Sequence, residues 1–477
     1  MNDALARLRE MQTADLPVHG GRTLAYVYDS GLPDVDQIGR EAVAAYAGSN
    51  GLDPTAFPSL LQMENDLVGF TANLLDAPPE AVGTVTSGGT ESCLLAVQGA
   101  RDSRPDIERP RMVVPSTVHA AFLKAAHYFG VEAVVVPVGP DFRADAEAMI
   151  EAIDEAPERT VLVVVSAPSY AHGVIDPVPP VAAAAAERAI RCHVDGCIGG
   201  WVLPYAARIG RDVPPWTFAV DGVTSISVDT HKYAYAPKGT SVLLHRSPAH
   251  RRPQYFAYAA WPGYTMLNST IQSTKSGGPL AGAWAVVQSL GDAGYEQLTR
   301  EVFEAVDRIV AGVAAIPELS LVATPDSTLI GLVTDGTCDA FTICDEMATR
   351  DWYVQPQMSY AGQPPNVHLS VSAATLAHVD QFLAALTESV AAAVAAGPVG
   401  VDPGVAAFIE TLDPATLSDD DFDGLLAASG LVGGDPSDGL ALPDRMAEVN
   451  AMLDLASPAM REALLVAFLD RLARPSR

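Results

Sequence analysis

Thr224-Ser225-Ile226-Ser227-Val228-Asp229-Thr230-His231-Lys232-Tyr233 is the stretch around which this chain is organised. It reads as a short alternating strand that stops at a His-Lys pair. Pro237-Lys238-Gly239-Thr240 then turns into a second apolar run, Ser241 to Leu244. A lysine at such a turn can be held against a ligand at the edge of a sheet. In a partly dry pocket its ammonium loses a proton easily and becomes a nucleophile toward carbonyls. Strand-end lysines are ordinarily solvated surface residues, so the weight of Lys232 depends on what lies upstream of it.

Two pieces lie upstream in workable order. Arg191-Cys192-His193-Val194-Asp195-Gly196 ends an apolar stretch and places a carboxylate where a strand stops. Thr86-Ser87-Gly88-Gly89-Thr90-Glu91-Ser92 precedes the apolar run Cys93 to Val97, as a glycine-rich turn opening a helix does. The free N–H groups of such a turn can hold a phosphate. A phosphate cradle, a carboxylate and a nucleophilic lysine, in that order, are the parts of a pyridoxal phosphate (PLP) site. The carboxylate is needed to face the pyridine nitrogen, because the protonated ring is the better electron sink.

With these pieces the chain resembles the group II decarboxylase family of fold-type I PLP enzymes, and within it the sphingosine-1-phosphate lyase branch. The match rests on Thr86 to Ser92, His119-Ala120-Ala121-Phe122, His172-Gly173-Val174-Ile175-Asp176-Pro177-Val178-Pro179, His193-Val194-Asp195 and Asp229 to Gly239. It runs from about residue 20 to 395 and more faintly beyond. The resemblance implies an α/β fold with a mostly parallel seven-stranded sheet and a smaller α+β C-terminal domain. It implies PLP on Lys232, Asp195 at the pyridine nitrogen and His119 stacked on the ring. Gly89, Thr90 and His231 would hold the phosphate, joined by Thr274 from a neighbouring subunit of a homodimer. Tyr28, Tyr170 and Lys238 would contact an amine substrate. The reaction implied is Cα–Cβ cleavage of a phosphorylated amino alcohol to an aldehyde and an amine. Amino-acid decarboxylation is the alternative, and a non-catalytic homologue is a third reading, which the intact Asp195/Lys232 pair opposes.

The chain departs from the family pattern at three places. Asp53 stands where relatives have a histidine, Lys275 where they have an arginine, and Ala260-Trp261 where they have Asp-Trp. Lysine in place of arginine loses planar bidentate recognition of an anion. His172 and His193 lie beside the motifs, where ring stacking or structural bonding explains them as well as chemistry does.

A length of 477 residues allows a large core and more than one domain. The net charge of −29 disfavours nucleic acid and anionic membrane surfaces as partners. Five cysteines without a Cys-x-x-Cys pair indicate neither a zinc site nor a disulfide framework, and no metal is expected. The N-terminus lacks a signal-type apolar core, and no run reaches the roughly 18 apolar residues of a membrane span. A soluble, cytoplasmic protein without the family's eukaryotic membrane anchor is the expectation.

The pattern divides into an N-terminal arm (1–75), a large domain of alternating strands and helices (76–295) and a small α+β unit (296–397). An acidic linker and helical extension (398–477) complete it. Within the extension, residues 398–443, rich in Gly, Pro and Asp, read as a solvated linker with short helices. Arg445 to Leu472 returns to helical periodicity. Val161 to Ser166, a continuous apolar run, reads as a strand covered on both faces.

Overall fold

The structure is a computed structural model that describes residues 2–428 and 443–473. Seven strands form the main sheet: Val82–Thr86 (β1), Arg111–Pro115 (β2), Glu132–Val136 (β3), Thr160–Ser166 (β4), Arg191–Asp195 (β5), Val223–Asp229 (β6) and Ser241–His245 (β7). Their order is β1-β7-β6-β5-β4-β2-β3. Neighbouring pairs among β2 to β6 run parallel, and β7 is antiparallel to both β6 and β1. Helices cover both faces, so β4 is buried along its whole length, as its unbroken apolar run requires.

The register brings the ends of three strands level. Ser166 pairs with Asp195, and Asp195 with Ser227. Two residues further along β6, Asp229 pairs with Ser241, which in turn faces Thr86 on β1. The glycine-rich turn after β1 starts the helix Gly89–Asp102 at this same edge. Ligands in open α/β sheets sit at such an edge.

A hairpin follows, Phe256–Tyr258 (β8) with Met266–Asn268 (β9). It leaves Phe256, Tyr258, Trp261, Tyr264 and Leu267 exposed. The helix Gly277–Val313 then leads to the small sheet. It starts about twenty residues before the Leu298 read from the sequence. Gly277, Gly278 and a break at Gly291 (φ 57°) obscure its first half, because glycine inside a helix weakens the local signal. The small sheet is antiparallel, from Leu319–Leu321 (β10), Leu329–Thr334 (β11), Gln355–Gln357 (β12) and Asn366–Ser370 (β13), in the order β10-β11-β13-β12. The helix ending at Ala396 has the length and apolarity to cross a membrane. Its Val379, Phe382, Leu386, Val390 and Ala393 recur at helical spacing and are buried, the pattern of a core helix.

The linker expected over 398–443 is corrected where the structure describes it. Pro403–Thr411 and Asp419–Ala428 are helices that close with Ala447–Leu455 and Pro458–Leu472 around a separate apolar cluster. Val405, Ile409, Phe422, Leu425, Met452, Met460 and Leu464 make up much of it. The run Asp419-Asp420-Asp421 is a helix start, where negative charge suits the dipole, and Asp419 and Asp420 are exposed to water. The part of that expectation covering 429–442 lies outside the described residues. This unit is tied to the small domain by Asp345, whose buried carboxylate accepts the N–H groups of Met446 and Ala447 at 2.9 Å each, and by Arg445 on Glu346 at 2.8 Å. Asp345→Ala removes two charge-assisted bonds of about 1.5–3 kcal/mol each. The C-terminal helices should then be cleaved early in limited proteolysis while the fragment up to about residue 400 survives; an unchanged cleavage pattern would show that Asp345 does not hold them.

Candidate active site

Lys232 stands just past the end of β6, and its Nζ lies 2.9 Å from Asp229 Oδ2. Asp229 is almost completely buried. Burial opposes the charge on Lys232, yet the neighbouring carboxylate holds the lysine well above its ordinary pKa. The expectation that partial burial by itself readies the amine is therefore corrected: the counter-charge wins. The approach of Asp229 depends on Gly89, where a Cβ would fall 2.7 Å from both carboxylate oxygens. His231 lies 3.6 Å from Asp229 through Nε2, and its Nδ1 pairs with the Thr240 carbonyl at 2.8 Å.

Lys232, Asp229 and His231 line a cavity of about 340 Å³ together with Gly89, Thr90, His119, Tyr170 and Asp195. Asp195 ends β5 and accepts the Cys197 N–H at 3.1 Å and the Ser227 hydroxyl at 3.4 Å. His119 caps the helix Ala120–Phe129 and takes the Ala121 N–H on Nδ1, which fixes its ring. Gly89 and Thr90 open their helix, so their N–H groups have no partner within it. Glu91 accepts Ser87 N–H at 2.6 Å and the N–H groups of Ile271 and Gln272 at 2.9 and 3.1 Å. It thereby staples this turn to the 271–276 loop.

Lys238 and Tyr28 do not line this cavity, although both lie close enough to Lys232 to feel its charge. The residue Lys238 is exposed as a whole, but its ammonium turns inward and donates to the Tyr26 carbonyl at 2.9 Å. It also sits 4.9 Å from the Tyr28 ring centroid. Burial, and then the charge of Lys232, push it down to about 8. Burial raises Tyr28 to about 12, so it remains a protonated phenol. Tyr170 reaches the cavity from the loop after β4, its hydroxyl on Gln355 of β12.

Several sequence candidates stand apart. Thr274 is exposed and does not line the cavity of its own chain. Asp53 is exposed and turned onto Thr55 N and Oγ1 at 2.8 and 2.6 Å. Lys275 is bound to the Val85 carbonyl at 2.6 Å and Glu64 at 3.4 Å, in a different cavity. His172 stacks on Phe142 at 4.2 Å, and His193 lies between Ser225 and Ser227. Burial lowers each to about 4, and ring stacking accounts for His172 as hydrogen bonding does for His193. Asp229 and Glu91 were overlooked, although the Asp229–Lys232 spacing of three residues was a usable signal. The fold also gathers Cys93, Asp195 and Cys197 at the cavity, and His19, Asp29 and Asp36 elsewhere, into groups that ligand spacing along the chain does not reveal. Asp29 already accepts the N–H groups of Gly20, Gly21 and Gly31, a structural use.

Residues 27–334 match the conserved domain of pyridoxal-dependent decarboxylases. The chain belongs to this family. Residues 403–471 match a C-terminal HTH domain described for pyridoxal-dependent enzymes. With 13 Asp and Glu against three Arg, that segment is ill suited to a phosphate backbone. A sphingosine-1-phosphate lyase of Arabidopsis thaliana is 39% identical over 73% of this chain and 64% of its own length, so the chain spans under two thirds of that relative. One of Dictyostelium discoideum is 35% identical over 81% and 71%. The structure of the Burkholderia pseudomallei sphingosine-1-phosphate lyase superposes with a TM-score of 0.77 at 34% identity, covering 83% of this chain and 91% of the other. The fold is that of the fold-type I PLP enzymes.

PLP is the cofactor this membership implies, and the cavity suits it. The helix start offers unpaired N–H groups to a phosphate, and Asp195 offers a carboxylate. Asp229 Oδ1 is buried without a hydrogen-bond partner among the described residues. Borohydride reduction of the PLP-loaded protein should fix the cofactor on Lys232, found by peptide mass spectrometry and lost in Lys232→Ala. An adduct on Lys238 or Lys275 instead would refute the assignment. Asp229→Asn removes the counter-charge, so Lys232 should react with a simple aldehyde at lower pH than in the wild type.

Proposed function

We propose that this chain is a PLP-dependent carbon–carbon lyase that cleaves the Cα–Cβ bond of a phosphorylated amino alcohol, giving an aldehyde and an amine. The observation that carries this reading is a site with two lysines, Lys232 paired to Asp229 and Lys238 turned inward beside it, on a chain similar to sphingosine-1-phosphate lyases. In this reading Lys232 holds the cofactor covalently and Asp195 keeps a proton on its ring nitrogen. His119 would lie on the ring, and Gly89, Thr90 and His231 would hold the phosphate. When bound, PLP supplies the sink for the electron pair released at the carbon that carries the amine. Once the substrate amine has displaced it from the cofactor, Lys232 Nζ, in the same cavity, would be free to move the β-hydroxyl proton. Tyr28 and Tyr170 border the substrate, and Lys238 meets its phosphate as a point charge.

Decarboxylation remains the second reading, favoured by the family description that covers residues 27–334. A phosphorylated amino alcohol has no carboxylate to lose, so it separates the two. Aldehyde and phosphoethanolamine from it would establish lysis; carbon dioxide from an amino acid, with no aldehyde from any phosphorylated amino alcohol, would overturn the lyase. The Lys238 ammonium is present below about pH 8 and lost above it. KM for the phosphorylated substrate should accordingly rise above pH 8, while that of an unphosphorylated analogue should not. Lys238→Ala should flatten the difference.

The working unit in this reading is a cytoplasmic homodimer. Exposed apolar side chains recur over 256–271, just ahead of Thr274 in the chain, and they support a contact surface there. Thr274 of the partner subunit would complete each cofactor site. All five cysteines are free, in keeping with a reducing compartment. Mixing inactive Lys232→Ala and Thr274→Val chains should restore activity through one intact composite site; a fully active monomer in sedimentation would contradict the arrangement.

A further inference from the structure

Four polar side chains share one face of the buried strands β5 and β6. His193 stands opposite Ser225, and Asp195 opposite Ser227. Side chains alternate along a strand, so all four lie on the same side of the sheet. Each is at least nine-tenths buried, and of the four only Asp195 lines the Lys232 cavity. Apolar residues at 193, 225 and 227 would fill such a place without the cost of burying polar groups. The polar ones that stand there bond to one another, and their bonds lead to Asp195.

Ser227 Oγ lies 3.4 Å from Asp195 Oδ1, 3.1 Å from His193 Nε2 and 3.3 Å from Cys197 Sγ, whose thiol donates. His193 Nδ1 lies 2.8 Å from Ser225 Oγ. One arrangement of protons satisfies all four bonds. A carboxylate only accepts, so the Ser227 proton goes to Asp195. His193 must then donate from Nε2 and accept the Ser225 proton at Nδ1. Burial, opposed by the charge of Asp195, lowers His193 to about 4. At neutral pH its ring therefore carries the single proton that this arrangement requires. The ring also packs on Phe122 at 5.6 Å, on the helix that His119 caps. Among the described residues, both hydrogen bonds of the Asp195 carboxylate, from the Cys197 N–H and from Ser227, fall on Oδ1. Oδ2 is left for a ligand.

We propose that Ser227 and His193 are positioning residues that keep Asp195 ionised and fixed in place as the partner of the cofactor ring nitrogen. This rests on the reading that Asp195 faces that nitrogen. A donated bond favours the charged carboxylate over its protonated form. The proton between Asp195 and the ring then stays on the ring, which makes the better electron sink. His193 adds direction, because by donating to Ser227 it leaves the serine proton to Asp195. Neither residue lines the cavity, so both act through Asp195.

The test loads the wild type, Ser227→Ala, His193→Phe and His193→Gln with PLP or with an analogue in which CH replaces the ring nitrogen. Absorbance titration gives each affinity. The wild type should prefer PLP. One lost bond to a charged group corresponds to about 10-fold, so Ser227→Ala should reduce that preference by about this factor. His193→Phe fills the place beside Phe122 but cannot donate. It should reduce the preference less, because Ser227 remains. His193→Gln keeps a donor near the Nε2 position and should restore it. Comparing two cofactors within one variant cancels any general loss of fold. A Ser227→Ala protein that weakens both cofactors equally, or keeps the wild-type preference, would overturn the proposal while leaving Asp195 at the ring nitrogen. A wild type that binds both cofactors equally would overturn the reading of Asp195 and the proposal with it. If Ser227→Ala does not fold, the two His193 variants decide by the same comparison. Nitrogen NMR of the histidine-labelled, cofactor-free protein reads the hydrogen-bond chain directly. It should show His193 protonated at Nε2 and bare at Nδ1 at neutral pH. The opposite tautomer would refute the proposal, because Ser227 would then give its proton to His193 and not to Asp195.

Discussion

The pairing of Lys232 with Asp229 is the constraint on which the rest of this molecule depends. A lysine ammonium brought to the end of a buried sheet loses most of its hydration, and without a counter-charge it would shed its proton. Asp229 is three residues earlier on the same strand end and cannot drift away. Its carboxylate reaches the cavity only because residue 89 has no side chain. Thus one glycine at a helix start, one aspartate at a strand end and one lysine after it form a single unit, although the first is about 140 residues from the others. The amine's reactivity is set by that neighbour more than by burial.

The sheet supplies the geometry for this unit. β5 and β6 are parallel neighbours whose ends bring Asp195 beside Ser227 and leave Asp229 two residues beyond. β7 then returns antiparallel between β6 and β1, which sets the Gly88-Gly89 turn next to Asp229 rather than a whole sheet away. Glu91 completes the frame by holding three backbone N–H groups, one in its own turn and two in the 271–276 loop. Its buried carboxylate makes the loop's position a property of the cofactor turn.

How much of this was legible in the sequence depended on whether a feature was local. The strands around Val161 and Ile226 showed as apolar or alternating runs, and Asp195, Gly89, Thr90, His119, Tyr170, His231 and Lys232 do line one cavity. Contacts that join distant segments were hidden: Glu91 to residue 271, Lys275 to Glu64, and the Tyr170–Gln355–Tyr26 chain. The helix Gly277–Val313 was half missed because glycines interrupt its pattern, and the apolar cluster that the short helices of 403–428 close was hidden because its other half comes from residues 452–464. Thr274 is a different case. Its exposure in its own chain is what a contribution to a second subunit requires, so a single chain neither uses nor excludes it.

The division of labour between the two ends of the cavity follows from these contacts. At its floor, every group is fixed by the main sheet or by a helix starting from it, and a change there disturbs the ion pair and the cradle together. At its mouth, the groups come from the N-terminal segment 22–28, the loop after β4 and the edge strand β12, joined by side-chain bonds such as those of Gln355. A substitution at the mouth can alter what is bound and leave Lys232, Asp229 and Asp195 in place. The departures at Asp53 and Lys275 fit this separation: both lie outside the cavity of their own chain, and both satisfy local bonds in its fold. Substrate choice in such a molecule can change through the rim residues, because the counter-charge on which the lysine depends comes first from Asp229.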